Sequence, residues 1–77
     1  MVLYKSDSCF FCHLVLDRIQ KFQYEIPLKD IFKDPQARAE LIQVGGKAQV
    51  PCLFVNGKPL YESQDIINFL EAEVTPV

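Results

Sequence analysis

The stretch Ser8-Cys9-Phe10-Phe11-Cys12-His13 sets two cysteines on either side of two aromatic residues. It follows a short apolar run, Met1-Val2-Leu3-Tyr4, and leads into a segment with helical periodicity. A helix N-terminus has unpaired backbone N–H groups and the positive end of the helix dipole. A thiolate placed there is stabilised. Cys9 is therefore expected to be an anionic nucleophile near neutral pH, with a pKa in the range of about 3.5–7.5 seen at such positions. Cys12 lies three residues on, one turn away on the same face. It can attack a mixed disulfide formed on Cys9. A Cys9–Cys12 bridge would add little stability, because closing so short a loop removes little entropy from the unfolded chain. The pair reads as chemistry rather than as a staple.

Other uses of these thiols fit less well. Cys9, Cys12, His13 and Cys52 are not spaced as a structural zinc module. Cys12-His13 completes C-x-x-C-H, the haem attachment string. The sequence shows no export signal, and no second histidine or internal methionine to complete the axial ligands. His13 is expected to be a first-turn surface residue, and Cys52 a buried core thiol at the start of an apolar strand. Phe10 and Phe11 have two readings: partial burial against the neighbouring helix, or an exposed apolar lip beside the thiol.

Outward from the pair, residues 1–5 read as a short buried strand and Lys5-Ser6-Asp7-Ser8 as a polar loop. Ser8 or Cys9 is the expected N-cap of a helix over 10–22. Its stripe is Cys12, Val15 or Leu16, Ile19 and Phe22. Leu14 falls off that stripe, which predicts burial around a broad arc. Residues 24–29 alternate, with Tyr24, Ile26 and Leu28 on one face, and predict a half-buried strand. Pro27 cannot donate to a ladder, so this strand belongs at an edge. Asp34-Pro35 starts a helix that runs to Val44, with Ala37, Leu41, Ile42 and Val44 as its apolar residues, and Gly45-Gly46 ends it. Cys52–Val55, Asn56-Gly57 and Pro59-Leu60-Tyr61 read as a hairpin. Ser63 is the expected N-cap of a last helix, with Ile66, Ile67, Phe69 and Leu70 as its apolar face and Thr75-Pro76-Val77 as its stop.

The chain has 77 residues and a net charge of −2, with Lys+Arg 8 against Asp+Glu 10. It reads as one domain over 1–77, burying about 60–65% of the surface its unfolded form exposes. The charges are interspersed, so neither nucleic-acid binding nor a polybasic membrane contact is indicated. No apolar run approaches the roughly 20 residues of a membrane span, and no signal peptide is visible. A cytoplasmic protein is expected, and in that compartment three cysteines mean reactive thiols more often than a disulfide scaffold. The order strand, helix, strand, helix, strand, strand, helix gives an α/β fold. Its core is a four-stranded mixed sheet flanked by three helices.

Taken together, Leu3-Tyr4, Cys9-Phe10-Phe11-Cys12-His13, Val50-Pro51, Asn56-Gly57-Lys58 and Tyr61-Glu62-Ser63 resemble the thioredoxin-like fold. Within that fold the chain looks like a glutaredoxin, and it is also similar to the N-terminal domains of glutathione S-transferases. The resemblance covers about residues 2–72. It implies that Cys9 is the nucleophile and Cys12 the resolving cysteine. It further implies a cis bond before Pro51, with the backbone of Val50 facing the cysteines and pairing with the cysteinyl part of glutathione. Glu62 and Ser63 match the pair that holds the γ-glutamyl end: Ser63 at a helix N-terminus offers donors to a carboxylate, and Glu62, with Asp65, accepts from the ammonium. Phe11 falls where relatives have a glutathione-contacting tyrosine.

The chain departs from the pattern in three places. Phe10-Phe11 replaces Pro-Tyr, and Ser6 stands where many relatives have a lysine, Lys5 being one residue off. Tyr61-Glu62-Ser63 replaces the Gly-Gly step before the last helix.

The implied function is a dithiol glutaredoxin: a glutathione-dependent oxidoreductase reducing protein disulfides or glutathione mixed disulfides. Glutathione is then a co-substrate, no cofactor is tightly bound, disulfide-containing proteins are the partners, and a monomer is expected. Two alternatives stand beside it: a glutathione-ligated [2Fe–2S] carrier, and a glutathione-binding transferase-like module.

Overall fold

Residues 1–73 are described in a computed structural model of the chain. The elements are β1 (Val2–Lys5), α1 (Phe10–Lys21), β2 (Leu28–Asp30), α2 (Pro35–Gly45), β3 (Cys52–Val55), β4 (Lys58–Leu60) and α3 (Ser63–Glu73). The strands form one sheet in the order β2-β1-β3-β4. β1 and β2 are parallel, and the other neighbours are antiparallel. This is the α/β thioredoxin-like architecture expected from the sequence: a four-stranded mixed sheet with three helices. The stop expected at Thr75-Pro76-Val77 lies outside the described residues.

The central strands carry the core on both faces, which is why they read as continuous apolar runs rather than alternations. Leu3 pairs with Leu53, and Tyr4 with Cys52. Successive side chains on a strand point to opposite faces. Leu3 and Leu53 accordingly join Val15 and Ile19 of α1 and Ile66, Ile67 and Leu70 of α3 in one buried cluster. Tyr4 and Cys52 join Ile31, Ala37 and Leu41 in a second, against α2.

Local signals fix most boundaries. Cys9 caps α1 with extended dihedrals, φ −94° and ψ 121°. The Asp34 carboxylate accepts from the Gln36 amide at 3.0 Å, and Pro35 occupies the first turn, where its missing N–H has no consequence. Gly46 closes α2 at φ 92°, a left-handed conformation that suits glycine. Asn56 and Gly57 have φ 52° and 80°, the two positive values of a type I′ hairpin turn.

Several expectations are corrected. The strand predicted over 24–29 is only Leu28–Asp30. Gln23 turns out of α1 at φ 58°, and the Tyr24 amide still bonds to the Ile19 carbonyl at 3.0 Å. The Tyr24 hydroxyl donates to the Leu70 carbonyl at 2.6 Å, and residues 22–24 form the turn that follows α1 rather than a strand. Pro27 has no N–H to offer. Its carbonyl accepts from the Leu3 amide at 2.9 Å, and the ladder starts one residue later. Ile26 is buried, but Leu28 is 48% exposed, so the alternation breaks there. The edge position of β2 agrees with the sequence.

Leu14 is 39% exposed, because α1 buries only the narrow stripe Cys12, Val15 and Ile19. Ile42 and Val44 are likewise exposed on α2, which buries Ala37 and Leu41. β4 starts at Lys58 rather than Pro59 and ends before Tyr61. At α3 the Glu62 carbonyl accepts the first helical bond, from Ile66 at 3.0 Å. Glu62 is therefore the boundary residue, and Ser63 is the first helical one.

Candidate functional site

Cys9 sits at the mouth of α1, half-buried, with its amide donating to the Ser6 carbonyl at 3.3 Å. Its Sγ accepts from the Cys12 amide at 3.3 Å, one of the orphan donors of the helix start. The same Sγ lies 3.8 Å from the Val50 carbonyl, to which a thiol can donate. The Val50–Pro51 peptide bond is cis.

The other two thiols are enclosed. Cys12 is fully buried, and burial, reinforced by its contact with Cys9, pushes its thiol up to about 12. Burial pushes Cys52 up to about 11. Cys9 is thus the one thiol among the described residues with a face to solvent.

The loop before Cys9 is tied to its surroundings. Asp7 receives Lys33 from the β2–α2 turn at 2.7 Å and Lys5 at 2.5 Å. These two cations, Lys33 foremost, hold its carboxyl down to about 2. The His13 ring bonds through Nε2 to the Asp7 carbonyl at 2.6 Å, so the exposed position expected for His13 carries a partner. Ser6 is buried, at 2% exposure, with its hydroxyl 3.2 Å from that of Ser8. Among the described residues, no three of His, Cys, Asp and Glu converge to hold a metal ion.

Beside the thiol lies a cleft of about 140 Å³ lined by Phe11, Gln49, Val50, Pro51, Tyr61, Glu62 and Ser63. The five residues expected to contact a ligand (Phe11, Val50, Pro51, Glu62 and Ser63) all lie on it. Val50 belongs to both parts, since its carbonyl meets Cys9 and its body lines the cleft. Phe10 and Phe11 stack edge to face at 5.6 Å and are 69% and 55% exposed. Of their two readings, burial against the neighbouring helix is therefore overturned.

Gln49 and the wall role of Tyr61 escaped the sequence reading. The Tyr61 hydroxyl donates to the Lys47 carbonyl at 2.9 Å, and the Lys47 ammonium stands over its ring at 4.6 Å from the centroid. Gly45 makes room for it: a Cβ there would overlap the Tyr61 hydroxyl. The Gly45-Gly46 pair read as a helix stop, which accounts for Gly46 only. Nothing local signals that Gly45 serves a side chain sixteen residues away.

No helix among the described residues is long and apolar enough to cross a membrane. A family model described as Glutaredoxin matches residues 1–60. An Arabidopsis thaliana protein that carries the name glutaredoxin-C12 is 28% identical over 72 residues, spanning 88% of this chain and 70% of that protein. No solved structure matches the chain at comparable significance.

Proposed function

From a chain that belongs to the glutaredoxin family, whose members are typically thiol–disulfide oxidoreductases using glutathione as co-substrate, we propose a dithiol glutaredoxin acting on glutathione mixed disulfides and protein disulfides. The observation that carries this reading is the shared position of Val50, which joins a half-buried cysteine at a helix start to the neighbouring cleft.

Cys9 acts as thiolate. It attacks the glutathione sulfur of a mixed disulfide, the S–S bond breaks, and the other thiol leaves as thiolate and takes a proton from water. Cys9 then holds a disulfide to glutathione. A second glutathione thiolate attacks the glutathione sulfur of that bond, releases glutathione disulfide and restores Cys9. The two electrons come from glutathione. On a protein disulfide, Cys12 instead loses its proton, attacks the Cys9 sulfur and expels the substrate thiolate. The Cys9–Cys12 disulfide is then reduced by two glutathiones.

During the mixed-disulfide stage, Ser63 and the α3 N-terminus receive the γ-glutamyl carboxylate, and Glu62 and Asp65 face its ammonium. A reducing compartment such as the cytoplasm supplies the co-substrate.

In a glutathione-coupled reduction assay, Cys9→Ser should abolish activity. Cys12→Ser should keep deglutathionylation and lose reduction of protein disulfides. A Cys9→Ser protein that still turned over would refute the mechanism. Glutathione binding by the wild type without turnover would favour the transferase-like alternative.

A further inference from the structure

The Cys9–Cys12 pair opens α1, and helix ends fray. One side chain braces this end. His13, the residue after Cys12, donates its amide to the Cys9 carbonyl at 3.2 Å. Its ring bonds through Nε2 to the Asp7 carbonyl at 2.6 Å. A single residue therefore grips the backbone at Cys9 and again two residues earlier. The ring bond closes a loop over residues 7–13 that contains both cysteines. A carbonyl only accepts, so Nε2 carries the proton, in the neutral ring as in the imidazolium.

Asp7 is fixed on its other side as well. Its carboxylate receives Lys33 at 2.7 Å from the turn after β2. The Cys9 amide donates to the Ser6 carbonyl at 3.3 Å. Asp7 and Ser8 are both exposed, yet the segment is tied to α1 at one end and to the β2–α2 turn at the other.

The consequence falls on the sulfur. Cys9 Sγ accepts from the Cys12 amide at 3.3 Å, which requires Cys9 to stay against the first turn of α1. An amide aimed at that sulfur helps the reduced pair more than the oxidised one, since a thiolate is an ionised acceptor and a neutral sulfur a weak one. Whatever holds Cys9 in place therefore favours the dithiol. A stabilised reduced form makes such a pair the stronger oxidant.

We propose that His13 is a positioning residue: its ring bond to the Asp7 carbonyl holds Cys9 against the Cys12 amide and biases the pair towards the dithiol. This rests on the reading of Cys9 and Cys12 as an exchanging pair and is independent of the cleft. The equilibrium concerned is the Cys9–Cys12 disulfide plus two small thiols giving the dithiol plus one small disulfide. The two electrons and two protons come from the small thiols.

The test equilibrates the full chain with mixtures of 2-mercaptoethanol and its disulfide, a couple that lacks the tripeptide. Alkylation and mass spectrometry read the dithiol fraction. At a fixed mixture and pH, His13→Ala should lower the ratio of dithiol to disulfide about 3- to 5-fold, the scale of one net hydrogen bond. His13→Gln keeps an N–H donor at a similar reach and carries no charge, so it should stay within about 2-fold of wild type. Far-UV circular dichroism confirms that the variants fold. A further arm needs no variant. His13 is the only histidine of the chain, so nitrogen-15 NMR of the wild type reads its ring directly, and the neutral form should be the Nε2–H tautomer.

An unchanged ratio in His13→Ala overturns the inference. So does a shift that His13→Gln shares, which would make the ring or its charge the cause, and so does an Nδ1–H tautomer. A wild type that never forms the Cys9–Cys12 disulfide overturns the dithiol reading and the inference with it. A wild type and variants that behave as expected here, with no turnover of glutathione mixed disulfides, support the inference and overturn the glutathione reading alone.

Discussion

Tyr61 is held from three directions, by the absent side chain of Gly45, the carbonyl of Lys47 and the ammonium of Lys47. This arrangement sets the sign of a simple substitution. Alanine in place of glycine gains up to about 1 kcal/mol in a helix. Here it must displace Tyr61, and overpacking of this kind costs about 1–3 kcal/mol. The second effect is larger, so Gly45→Ala should destabilise the protein by about 1 kcal/mol in urea unfolding. Adding Tyr61→Phe removes the overlapping hydroxyl and should recover most of that loss. Equal costs in the two backgrounds would show that Gly45 and Tyr61 do not meet.

The Cys9–Cys12 pair was anticipated from its spacing at a helix start, and Val50, Pro51 and Ser63, which line the cleft, were anticipated from the family resemblance. Gly45, Lys47 and the role of Tyr61 were not, because their meaning is a contact between distant segments.

Elements repeat that contrast. Both α1 and α2, and the β3–β4 hairpin, announce themselves by caps, period and turn residues. The three-residue β2 does not, because pairing with β1 defines it and propensity does not. The link between the β1–α1 loop and the β2–α2 turn is equally non-local, made by Lys33 and Asp7.

This link has a pH signature. The Asp7 carboxyl has a folded-state pKa of about 2, below the about 3.9 of an unfolded aspartate. Its contribution is therefore present above about pH 4 and lost as pH falls through about 2. Asp7→Asn should flatten the acid limb of the stability curve in that window, and high salt should shrink the difference because the pair is exposed. Parallel acid limbs for the two proteins would remove Asp7 from the account.

At the scale of the whole molecule, the sheet separates two cores, and each encloses polarity at its edge. Cys12 and Cys52 keep their protons in the folded state up to about 12 and about 11, whereas an unfolded thiol loses its proton near 8.5. Between those values unfolding releases protons, so stability must fall as pH rises above about 9, by up to about 1.4 kcal/mol per pH unit for each thiol. Cys52→Ala should lower the plateau by leaving a cavity, yet make the alkaline limb shallower. Urea midpoints from about pH 8 to 10.5 under reductant would measure both. An unchanged slope would mean that Cys52 ionises freely in the native protein. The two-faced sheet could be anticipated from the unbroken apolar runs Val2-Leu3-Tyr4 and Cys52–Val55. The thin burial of α2 could not, because exposure of Ile42 and Val44 depends on what the other elements leave uncovered.

The outer strands of the sheet bear on how the protein behaves in company. β2 and β4 are each three residues long. Pro27 abuts the first and Pro59 lies within the second, and each carries a lysine, Lys29 or Lys58. Short strands, prolines and lysines are features that keep a free edge from templating another chain. Crowding at high concentration should therefore not drive edge-to-edge fibrils. Any reversible clustering would start at the exposed Phe10–Phe11 lip, beside the reactive sulfur, and would compete with turnover.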